Sequence, residues 1–341
     1  MRWARSSTDN LTGHPVGRYH TSLRKPRAGL WGGVRPRGRA ESWHERKPSR
    51  GAEDLKFIVE RKELTPAEVT SFRQTVYGHF REKGRRMPWR ETRDPYCILV
   101  SEIMLQQTQV ERVLEKYGPF LERFPDFASL AEGPLRDVLG QWIGLGYNRR
   151  AMALHQTARR IVSEFEGALP DAVEVLRTLP GIGPATAGAL VAFAFNRPVV
   201  FIETNIRRVF IHSFFEGRSG IKDNELVPLV QQTLDRSSPR TWYYALMDYG
   251  STLKRVTANP NRRSAHHSKQ APFEGSNRQI RGLVLRTLIE RPALSEDAIV
   301  NAIGKQPKRI RMIIRQLQEE GFLVRKGGGL AIASGLTDEK P

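Results

Sequence analysis

The sequence predicts an all-α fold followed by a small C-terminal α+β domain. From about residue 65 onward, helical patterns of apolar residues succeed one another, separated by proline and glycine. Strand-like runs are few, and residues 198–202 form the one that stands out in the central region. Near the C-terminus, three short helical patterns precede two strand-like runs joined by glycines. We therefore expect helices to build most of the core.

Residues 1–63 are predicted to be a basic, disordered extension. The first 50 residues contain 12 Lys and Arg against three acidic residues and lack apolar periodicity. Such a segment cannot bury enough apolar surface to offset the chain entropy that ordering would cost. An arginine-rich start is also typical of an organelle transit peptide, but no amphipathic period supports that interpretation.

The helical region opens with a recognisable start signal. Thr65 offers a hydroxyl cap, Pro66 suits the first turn of a helix, and Glu68 follows at the spacing of a capping pattern. The helical patterns after it stop at Pro88, Pro95, Pro125, Gly144–Gly146 and Pro170. These breaks predict a series of short and medium helices.

Residues 98–106 carry the candidate acid, Glu102. On a helix, Glu102 neighbours Leu99 and Leu105 at three residues and Ile98 and Gln106 at four. A carboxyl group beside this much apolar surface should have a raised pKa, which suits it to donate or shuttle a proton near neutral pH. The alternative is a glutamate at the rim of the protein that caps a solvent edge.

A glycine-rich hairpin lies between two predicted helices. The helical stretch 171–178 ends in Leu179-Pro-Gly-Ile-Gly183, and Pro184 opens the next helix. The glycines allow a tight turn and a close approach of backbone N–H groups to a phosphate, at a helix N-terminus whose dipole favours an anion. Because a phosphate has no base identity, such a hairpin would position a nucleic acid without reading its sequence. An ordinary turn between packed helices is the alternative.

The chain becomes loop-like and basic over residues 256–276, and a separate pattern follows. Helical signals at 277–290, 295–303 and 307–320 lead to strand-like runs on either side of three glycines, which is the order of a winged-helix domain. Its third helix carries the basic residues Lys305, Lys308, Arg309, Arg311 and Arg315. Such a helix either enters a major groove or presents a basic solvated face over a small core.

Composition narrows the classes of partner and location. The 55 Lys and Arg against 36 Asp and Glu leave a net charge of +19, which favours a polyanionic partner such as nucleic acid over a merely solvated basic surface. Cys97 is the single cysteine of the chain, which excludes an internal disulfide and a cysteine-based metal or iron–sulfur site. No apolar run approaches the roughly 18 residues that span a membrane. We expect a cytoplasmic, nucleoid-associated protein without membrane contact or organelle targeting.

Several of these stretches, taken together, resemble the helix-hairpin-helix DNA glycosylases, and within them the adenine-mispair branch of MutY-type enzymes. They follow the order of the family over roughly residues 70–255. The matching stretches are Pro88-Trp-Arg90, Asp94-Pro-Tyr96, Ser101-Glu-Ile-Met-Leu-Gln-Gln-Thr-Gln-Val110, Gly144-Leu-Gly-Tyr147, Leu179-Pro-Gly-Ile-Gly183, Thr186-Ala-Gly188 and Asn205-Ile-Arg-Arg208. The resemblance implies a two-lobed helix-hairpin-helix core.

The resemblance also implies roles for individual residues. Glu102 takes the position of the acid that protonates the leaving adenine, and Glu203 that of the catalytic aspartate. Gln107 and Tyr147 correspond to side chains that wedge into the duplex when a base is extruded. The other residues implied in DNA contact are Gln106, Gly181, Gly183, Thr186, Asn205 and Arg208. Those implied at the base pocket are Arg85, Trp89, Arg90 and Tyr244.

Four departures from the family pattern are visible. The chain reads Glu203-Thr-Asn205 where the family has Asp-Gly-Asn, which puts the reach of the carboxylate in doubt. Ala185 stands where lyase relatives carry a Schiff-base lysine, and the cysteines of the iron–sulfur cluster are absent. The winged-helix-like segment replaces the module that reads oxidised guanine in adenine enzymes. We therefore expect no cofactor apart from a monovalent cation at the hairpin. In the cluster's place we expect basic residues such as Arg262, Arg263 and Lys269 to contact phosphate, the alternative being that this loop is only a solvated connector.

The predicted function is that of a monofunctional base-excision DNA glycosylase acting on a mispaired base, with adenine favoured. A mismatch thymine or uracil glycosylase and a catalytically inactive DNA-binding protein are the alternatives. The expected partner is double-stranded DNA with a mispaired or damaged base, bound by a monomer. The predicted organisation is an extension (1–63), a catalytic domain (64–255), a basic loop (256–276), a winged-helix-like domain (277–335) that adds DNA affinity without choosing the base, and a tail (336–341).

Overall fold

A computed structural model describes residues 63–304 and 306–334. The predicted N-terminal extension, Lys305 and the tail lie outside these residues. The helices before residue 257 are α1 (Pro66–Lys83), α2 (Pro88–Glu91), α3 (Pro95–Leu105), α4 (Val110–Arg123), α5 (Phe127–Glu132), α6 (Leu135–Trp142), α7 (Arg149–Glu164), α8 (Val173–Leu176), α9 (Pro184–Phe195), α10 (Thr204–Phe214), α11 (Asp223–Thr233) and α12 (Pro239–Val256). They are followed by a 3₁₀ turn (Pro260–Arg263), α13 (Asn277–Glu290), α14 (Glu296–Ile303), α15 (Pro307–Glu319), β1 (Leu323–Lys326) and β2 (Gly329–Ile332).

The predicted start of the helical region is confirmed. The hydroxyl of Thr65 accepts from the backbone N–H of Glu68, and the Glu68 carboxylate accepts from the backbone N–H of Thr65 at 2.7 Å. Pro88 and Pro95 mark boundaries as expected, but each is the first residue of the helix that follows it. Proline suits that position because the N–H it lacks would have no intrahelical partner there.

Two groups of helices form the core, and α9 packs against both. Helices α1, α10, α11 and α12 make one group, whose centre holds the ring of Phe72 within 6 Å of Phe210, Phe214 and Trp242. Helices α3 to α7 make the other group around the buried Trp142. Because α9 contacts α3 of one group and α12 of the other, the glycine hairpin before α9 lies next to residues of both.

The strand-like run at residues 198–202 is not a strand. It forms an extended connection without strand pairing in the described part of the chain. The Tyr243 hydroxyl donates to the carbonyl oxygen of Val199 at 2.6 Å, and the ring of Phe201 packs 4.2 Å from that of Tyr243. A Cβ atom on Gly188 would lie 2.5 Å from Phe201, so glycine there makes room for the ring. The β-branched pattern therefore reflects burial between helices.

Residues 256–276 are tied to the protein by polar side chains. Asn261 donates its amide to the carbonyl oxygen of Thr204 at 2.9 Å. Arg263 donates to the carbonyl oxygens of Ile211 and Phe215 at the end of α10, which also accept the backbone N–H groups of Phe215 and Arg218. The expectation that Arg263 is available to phosphate is therefore wrong, since its guanidinium caps a helix instead.

The C-terminal segment has the predicted order of three helices and a hairpin. Strands β1 and β2 pair antiparallel, with Leu323 opposite Ile332 and Lys326 opposite Gly329. Helix α13 packs against α6 of the preceding core, where Arg136 donates to the carbonyl oxygen of Ile289. None of the helices in the described ranges is long and apolar enough to span a membrane.

Candidate active site and nucleic-acid interface

Two carboxyl groups lie close together at the meeting point of α3 and α10. Glu102 is partly buried on α3, and Glu203 precedes the first residue of α10. Burial and, after it, the negative charge of Glu203 raise the pKa of Glu102, the guanidinium of Arg90 lowers it, and the resulting pKa is about 8. Glu102 therefore holds a proton near neutral pH, which is the direction that its apolar neighbours predict.

Glu203 is the N-cap of α10. Its carboxylate accepts from the backbone N–H groups of Asn205 at 2.6 Å and Ile206 at 2.8 Å, and from the Asn205 amide at 3.3 Å. Burial raises the pKa of Glu203, while these N–H groups and the charges of Arg208 and Arg207 lower it. The longer glutamate side chain thus folds back onto its own helix N-terminus, where the helix dipole favours a negative charge.

Asp248 on α12 fixes the two arginines of the predicted base pocket. Arg90 makes a bidentate pair with it at 2.8 and 2.9 Å, and Arg85 donates to it through Nε at 2.7 Å. The side chain of Asp248 is 1% exposed, so the pair is shielded from solvent. The guanidinium of Arg90 also lies 4.5 Å from the ring centroid of Tyr244, which stacks on Phe193. Arg90 and Tyr244 therefore contact each other, and both lie near Glu102.

Trp89, predicted at the base pocket, lies in the core. It is 3% exposed and packs edge-on against Tyr117, with 5.4 Å between the ring centroids. Its neighbour Arg90 is turned toward Asp248, so the Pro88-Trp-Arg90 stretch contributes an arginine to the pocket and a tryptophan behind it. Trp89 packs α2 against Tyr117 of α4 and does not present an open aromatic face.

Gln107 and Tyr147, the two predicted wedge residues, both have left-handed backbone conformations. Their φ angles are 53° and 49°, which is costly for residues with a Cβ atom. Both line two adjoining cavities of about 490 and 770 Å³. The larger cavity also has Arg207, Lys254 and His266 on its wall, so its lining is basic.

Arg150, at the start of α7, joins the two loops that carry these wedge residues. It is 9% exposed, and burial lowers its pKa to about 10. Its guanidinium donates, at 2.7–3.3 Å, to the carbonyl oxygens of Ile103, Met104, Leu145 and Gly146 and to the hydroxyl of Thr108. The first two carbonyls precede Gln107 and the next two precede Tyr147, so one cation sets the distance between both loops.

Sequence reasoning missed Arg150 and Asp248, although each had a signal. Arg150 shares a helix face with the buried residues Leu154, Ala158 and Ile161. Asp248 follows Tyr244 and Ala245 at helical spacing, on the buried side of α12. A charged residue on the apolar face of a helix predicts a buried partner, because an unpaired charge is costly there.

The glycine hairpin before α9 has the geometry that its sequence predicts. Gly181 has a φ of 75°, and a Cβ atom there would lie 2.8 Å from the side chain of Ala153. Gly183 is exposed and caps the N-terminus of α9 without a side chain. The Gln106 amide donates to the carbonyl oxygen of Gly181 and to the hydroxyl of Thr186, both at 3.1 Å. Gln106 and Thr186 therefore brace the hairpin against α3.

Arg208, predicted to contact DNA, is buried and occupied within the protein. It is 3% exposed and donates to Asn205 at 2.6 Å, to the carbonyl oxygen of Gly250 at 2.8 Å and to Asn259 at 3.0 Å. These contacts join α10, α12 and the segment after α12. Arg208 thus orients Asn205, and the charge that it would offer a phosphate is already partnered.

A cysteine-bound cluster does not fit this chain. An iron–sulfur cluster of the usual kind needs several thiolates, and Cys97 is the single cysteine of the sequence. Its thiol lies at the start of α3, 3.5 Å from the Asp94 carboxylate, and burial raises its pKa to about 11. Across residues 63–304 and 306–334, no three His, Cys, Asp or Glu side chains are arranged to hold a metal ion.

Comparison with known proteins places these features in one family. The profile of the HhH-GPD superfamily base excision DNA repair proteins matches residues 100–227. The chain is 34% identical over 244 residues to the adenine DNA glycosylase of Mycolicibacterium smegmatis, which covers 66% of this chain and 80% of that protein. It is 35% identical over 187 residues to the adenine DNA glycosylase of Buchnera aphidicola, covering 53% of this chain and 52% of that protein. The chain thus spans about half the length of the Buchnera enzyme and of the mouse enzyme.

Among solved structures, that of a thermostable thymine-DNA glycosylase aligns with a TM-score of 0.49 and 26% identity. The alignment covers 54% of this chain and 86% of that one.

Proposed function

The chain belongs to the HhH-GPD superfamily of base excision DNA repair proteins, and from this we propose that it is a DNA glycosylase that hydrolyses the N-glycosidic bond of a flipped-out, mispaired base. Adenine is the first candidate base, because the relatives from Mycolicibacterium smegmatis and Buchnera aphidicola are adenine DNA glycosylases. The observation that carries the proposal is Glu102, whose raised pKa keeps it protonated beside a second carboxylate.

In the proposed reaction, Glu102 is the general acid. It gives its proton to a ring nitrogen of the extruded purine, so that the electron pair of the breaking C1′–N9 bond leaves with a base that needs no negative charge. Positive charge then develops on the sugar, water adds at C1′, and the proton that this water releases returns to the Glu102 carboxylate. Because the two carboxyl groups differ in environment, Glu102 can serve as the acid and Glu203 as the stabilising anion.

Glu203 supports the sugar cation electrostatically in this proposal. Its carboxylate is fixed by the N–H groups of Asn205 and Ile206, so it keeps its position while the charge develops. A fixed anion of this kind requires no reorganisation during the reaction. Glu203→Gln should therefore slow base release while leaving the N-cap largely in place.

DNA is the proposed partner, bound along the hairpin and the wedge loops. The hairpin presents Gly181 and Gly183 at the exposed N-terminus of α9, where backbone N–H groups suit a phosphate. Gln107 and Tyr147 reach into the two cavities from the same edge, and the larger cavity is lined by basic side chains. We further propose that the enzyme acts as a monomer.

Removal of thymine or uracil is the second candidate, and Tyr244 is the observation that favours it. Some adenine enzymes carry a glutamate or glutamine at this position, and here an aromatic ring lies between Phe193 and Arg90 instead. A tyrosine ring is bulkier than a glutamate or glutamine side chain, so in this proposal it would leave less room for a purine near Glu102 than for a pyrimidine. The two candidates therefore differ in which base the pocket admits, with the same acid.

We propose base release without strand cleavage. Ala185, the second residue of α9, has no amine to form a Schiff base. Borohydride added during turnover should therefore trap no covalent protein–DNA adduct, and an adduct would overturn this part of the proposal. Lys254, which lines the larger cavity, is the lysine to replace first in that event.

The proposal involves no iron–sulfur cluster. The purified protein should be colourless near 400 nm, and stoichiometric iron would contradict this.

A monovalent cation at the hairpin is a separate hypothesis. The hairpin carbonyls of Thr178, Pro180 and Gly181 already accept from Arg160, Thr157 and Gln106, respectively. Such a cation would be held by the remaining carbonyl oxygens.

The deciding experiment is single-turnover cleavage of a panel of mispaired duplexes, with alkali added to open abasic sites. Cleavage at adenine supports the first candidate, and cleavage at thymine or uracil supports the second. Glu102→Gln should reduce the rate on the true substrate by about 100- to 10,000-fold, with duplex affinity within a few-fold of the unaltered protein. A protein that binds every duplex and releases no base would be the inactive DNA-binding alternative.

A further inference from the structure

The C-terminal segment contacts one of the wedge residues directly. Arg278, the second residue of α13, donates through Nη1 to the hydroxyl of Tyr147 at 2.5 Å. Its other terminal nitrogen donates to the carbonyl oxygen of Ala271 at 2.6 Å. The guanidinium carbon of Arg278 also lies 5.2 Å from the centroid of the Tyr147 ring. One arginine from α13 therefore holds both the hydroxyl and the ring of the tyrosine.

Tyr147 needs such a restraint to keep one orientation. Its φ of 49° is unfavourable for a tyrosine, and its side chain is only partly buried. The guanidinium of Arg150 lies 5.6 Å from the ring centroid, so the ring has one cation from the core and one from α13. Cations over an aromatic ring stabilise it electrostatically and restrict its rotation. Without Arg278, one of these two cations and the hydrogen bond to the hydroxyl are lost.

Helix α13 is itself fixed to the catalytic core. Glu320, at the end of α15, accepts from Arg149 of α7 at 2.6 Å and from Arg281 of α13 at 2.5 Å. Arg149 lies two residues after Tyr147. Arg278 therefore projects from a helix that is itself anchored next to Tyr147. A residue that positions another side chain needs such a fixed helix.

We propose that Arg278 is a positioning residue for base extrusion, which holds Tyr147 in the orientation that enters the duplex. This inference rests on the proposed function and assigns the C-terminal segment a part in it beyond affinity for the DNA backbone. The physical basis is preorganisation, because a side chain already fixed in its bound conformation loses less entropy on binding. Arg278 acts through Tyr147 and has no contact with the reacting bond.

The test follows extrusion itself in the full chain. A duplex with 2-aminopurine opposite guanine becomes more fluorescent when that base leaves the stack, and stopped flow gives the rate. Arg278→Ala should slow the fluorescence rise by about tenfold, the combined effect of one hydrogen bond and one cation–π contact. In the Tyr147→Ala background, Arg278→Ala should have no further effect, because the contact it removes is already gone.

Arg291→Ala is the matched control. Arg291 is the C-cap residue of α13, is exposed and lines neither of the two cavities, so its loss removes the same charge from the end of the same helix. It should leave the extrusion rate per bound complex unchanged, and Arg278→Lys should restore part of the loss because a lysine can still donate to the hydroxyl. Thermal unfolding checks that each variant is folded.

Three results would overturn the inference. Arg278→Ala could extrude the base at the unaltered rate, it could slow extrusion equally with and without the Tyr147 ring, or Tyr147→Ala alone could leave extrusion unchanged. Because fluorescence reports unstacking before any bond breaks, extrusion without base release would contradict the proposed function while leaving this inference intact.

Discussion

At the scale of single residues, the site depends on how burial and charge act on Glu102. The apolar side chains of α3 remove water from the carboxyl group, and the carboxylate of Glu203 disfavours a second negative charge nearby. Arg90 limits the shift, and it is held in place by Asp248. The result is an acid that keeps its proton at neutral pH beside a second carboxyl group whose position is fixed by hydrogen bonds at its helix cap.

This arrangement predicts the pH dependence of base release. The acid must be protonated to act, and the pKa of Glu102 is raised to about 8, so the single-turnover rate should stay level below about pH 7. It should fall roughly tenfold per pH unit above pH 8, as the active form is titrated away. The measurement is the rate from pH 5.5 to 9.5 at saturating enzyme. A rate that rises through pH 8 would assign Glu102 as a base.

Arg150 predicts a combined loss of stability and activity. Replacement by methionine keeps the apolar stem and leaves the carbonyl groups around it without a donor, so the free energy of unfolding should fall by roughly 2–4 kcal/mol. Base release should slow as well, because the spacing of the Gln107 and Tyr147 loops is no longer fixed. Urea denaturation and single-turnover rates measure the two effects. Arg159→Met, nine residues further along the same helix, is the control.

At the scale of elements, side chains tie the segment after α12 to α10. Asn259 accepts from Arg208, Asn261 donates to Thr204, and Arg263 caps the last carbonyls of α10. A short parallel bridge between Ile221 and Ser264 adds a backbone contact. These hydrogen bonds hold a segment, residues 256–276, that contains no cysteine to bind a cluster.

This tie predicts that Arg263→Ala loosens the segment locally. Losing the two carbonyl contacts should cost about 1–3 kcal/mol, and amide hydrogen exchange should speed up at residues 257–267 and at the end of α10. Arg262→Ala is the matched control, because the neighbouring Arg262 is exposed. Equal exchange in both variants would show that the contacts of Arg263 do not hold the segment.

At the scale of the whole molecule, the described residues belong to one compact unit in which the C-terminal segment is docked on the core. Glu320 is the centre of this docking, since it pairs with Arg149 from one side and Arg281 from the other. Hydrogen bonds from Arg149 and then Arg281 lower the pKa of Glu320 to about 2. The carboxylate therefore stabilises the folded chain wherever it is ionised.

The pH dependence of stability follows from that pKa. Its folded value lies below the ordinary 4.5, so the contribution of Glu320 is complete above about pH 5 and is lost as the pH falls toward 2. Glu320→Gln should lower the Tm by a few degrees at pH 7, and its difference from the unaltered protein should shrink between pH 5 and 3. Thermal scans at several pH values measure this. A constant difference would contradict it, and Glu319→Gln on the exposed side of α15 is the control.

The sequence alone determined the elements and the position of the acid. Capping residues such as Thr65 and Glu68, prolines at helix starts, and glycines at the hairpins act over a few residues, so their effects can be read locally. For this reason the three C-terminal helices and the strand pair lie where the pattern predicts them. The raised pKa of Glu102 also follows from its neighbours three and four residues away on α3.

The tertiary structure decided which side chains are free to act. In the sequence, Arg208 and Arg263 resemble phosphate ligands. In the structure, each donates hydrogen bonds to oxygen atoms of residues more than 40 positions away in the chain. Arg150 and Arg278 take on the positioning of the wedge residues because packing brings distant carbonyl and hydroxyl groups to them. A cation binds whichever oxygen is near and desolvated, and which oxygen that is depends on how the helices pack.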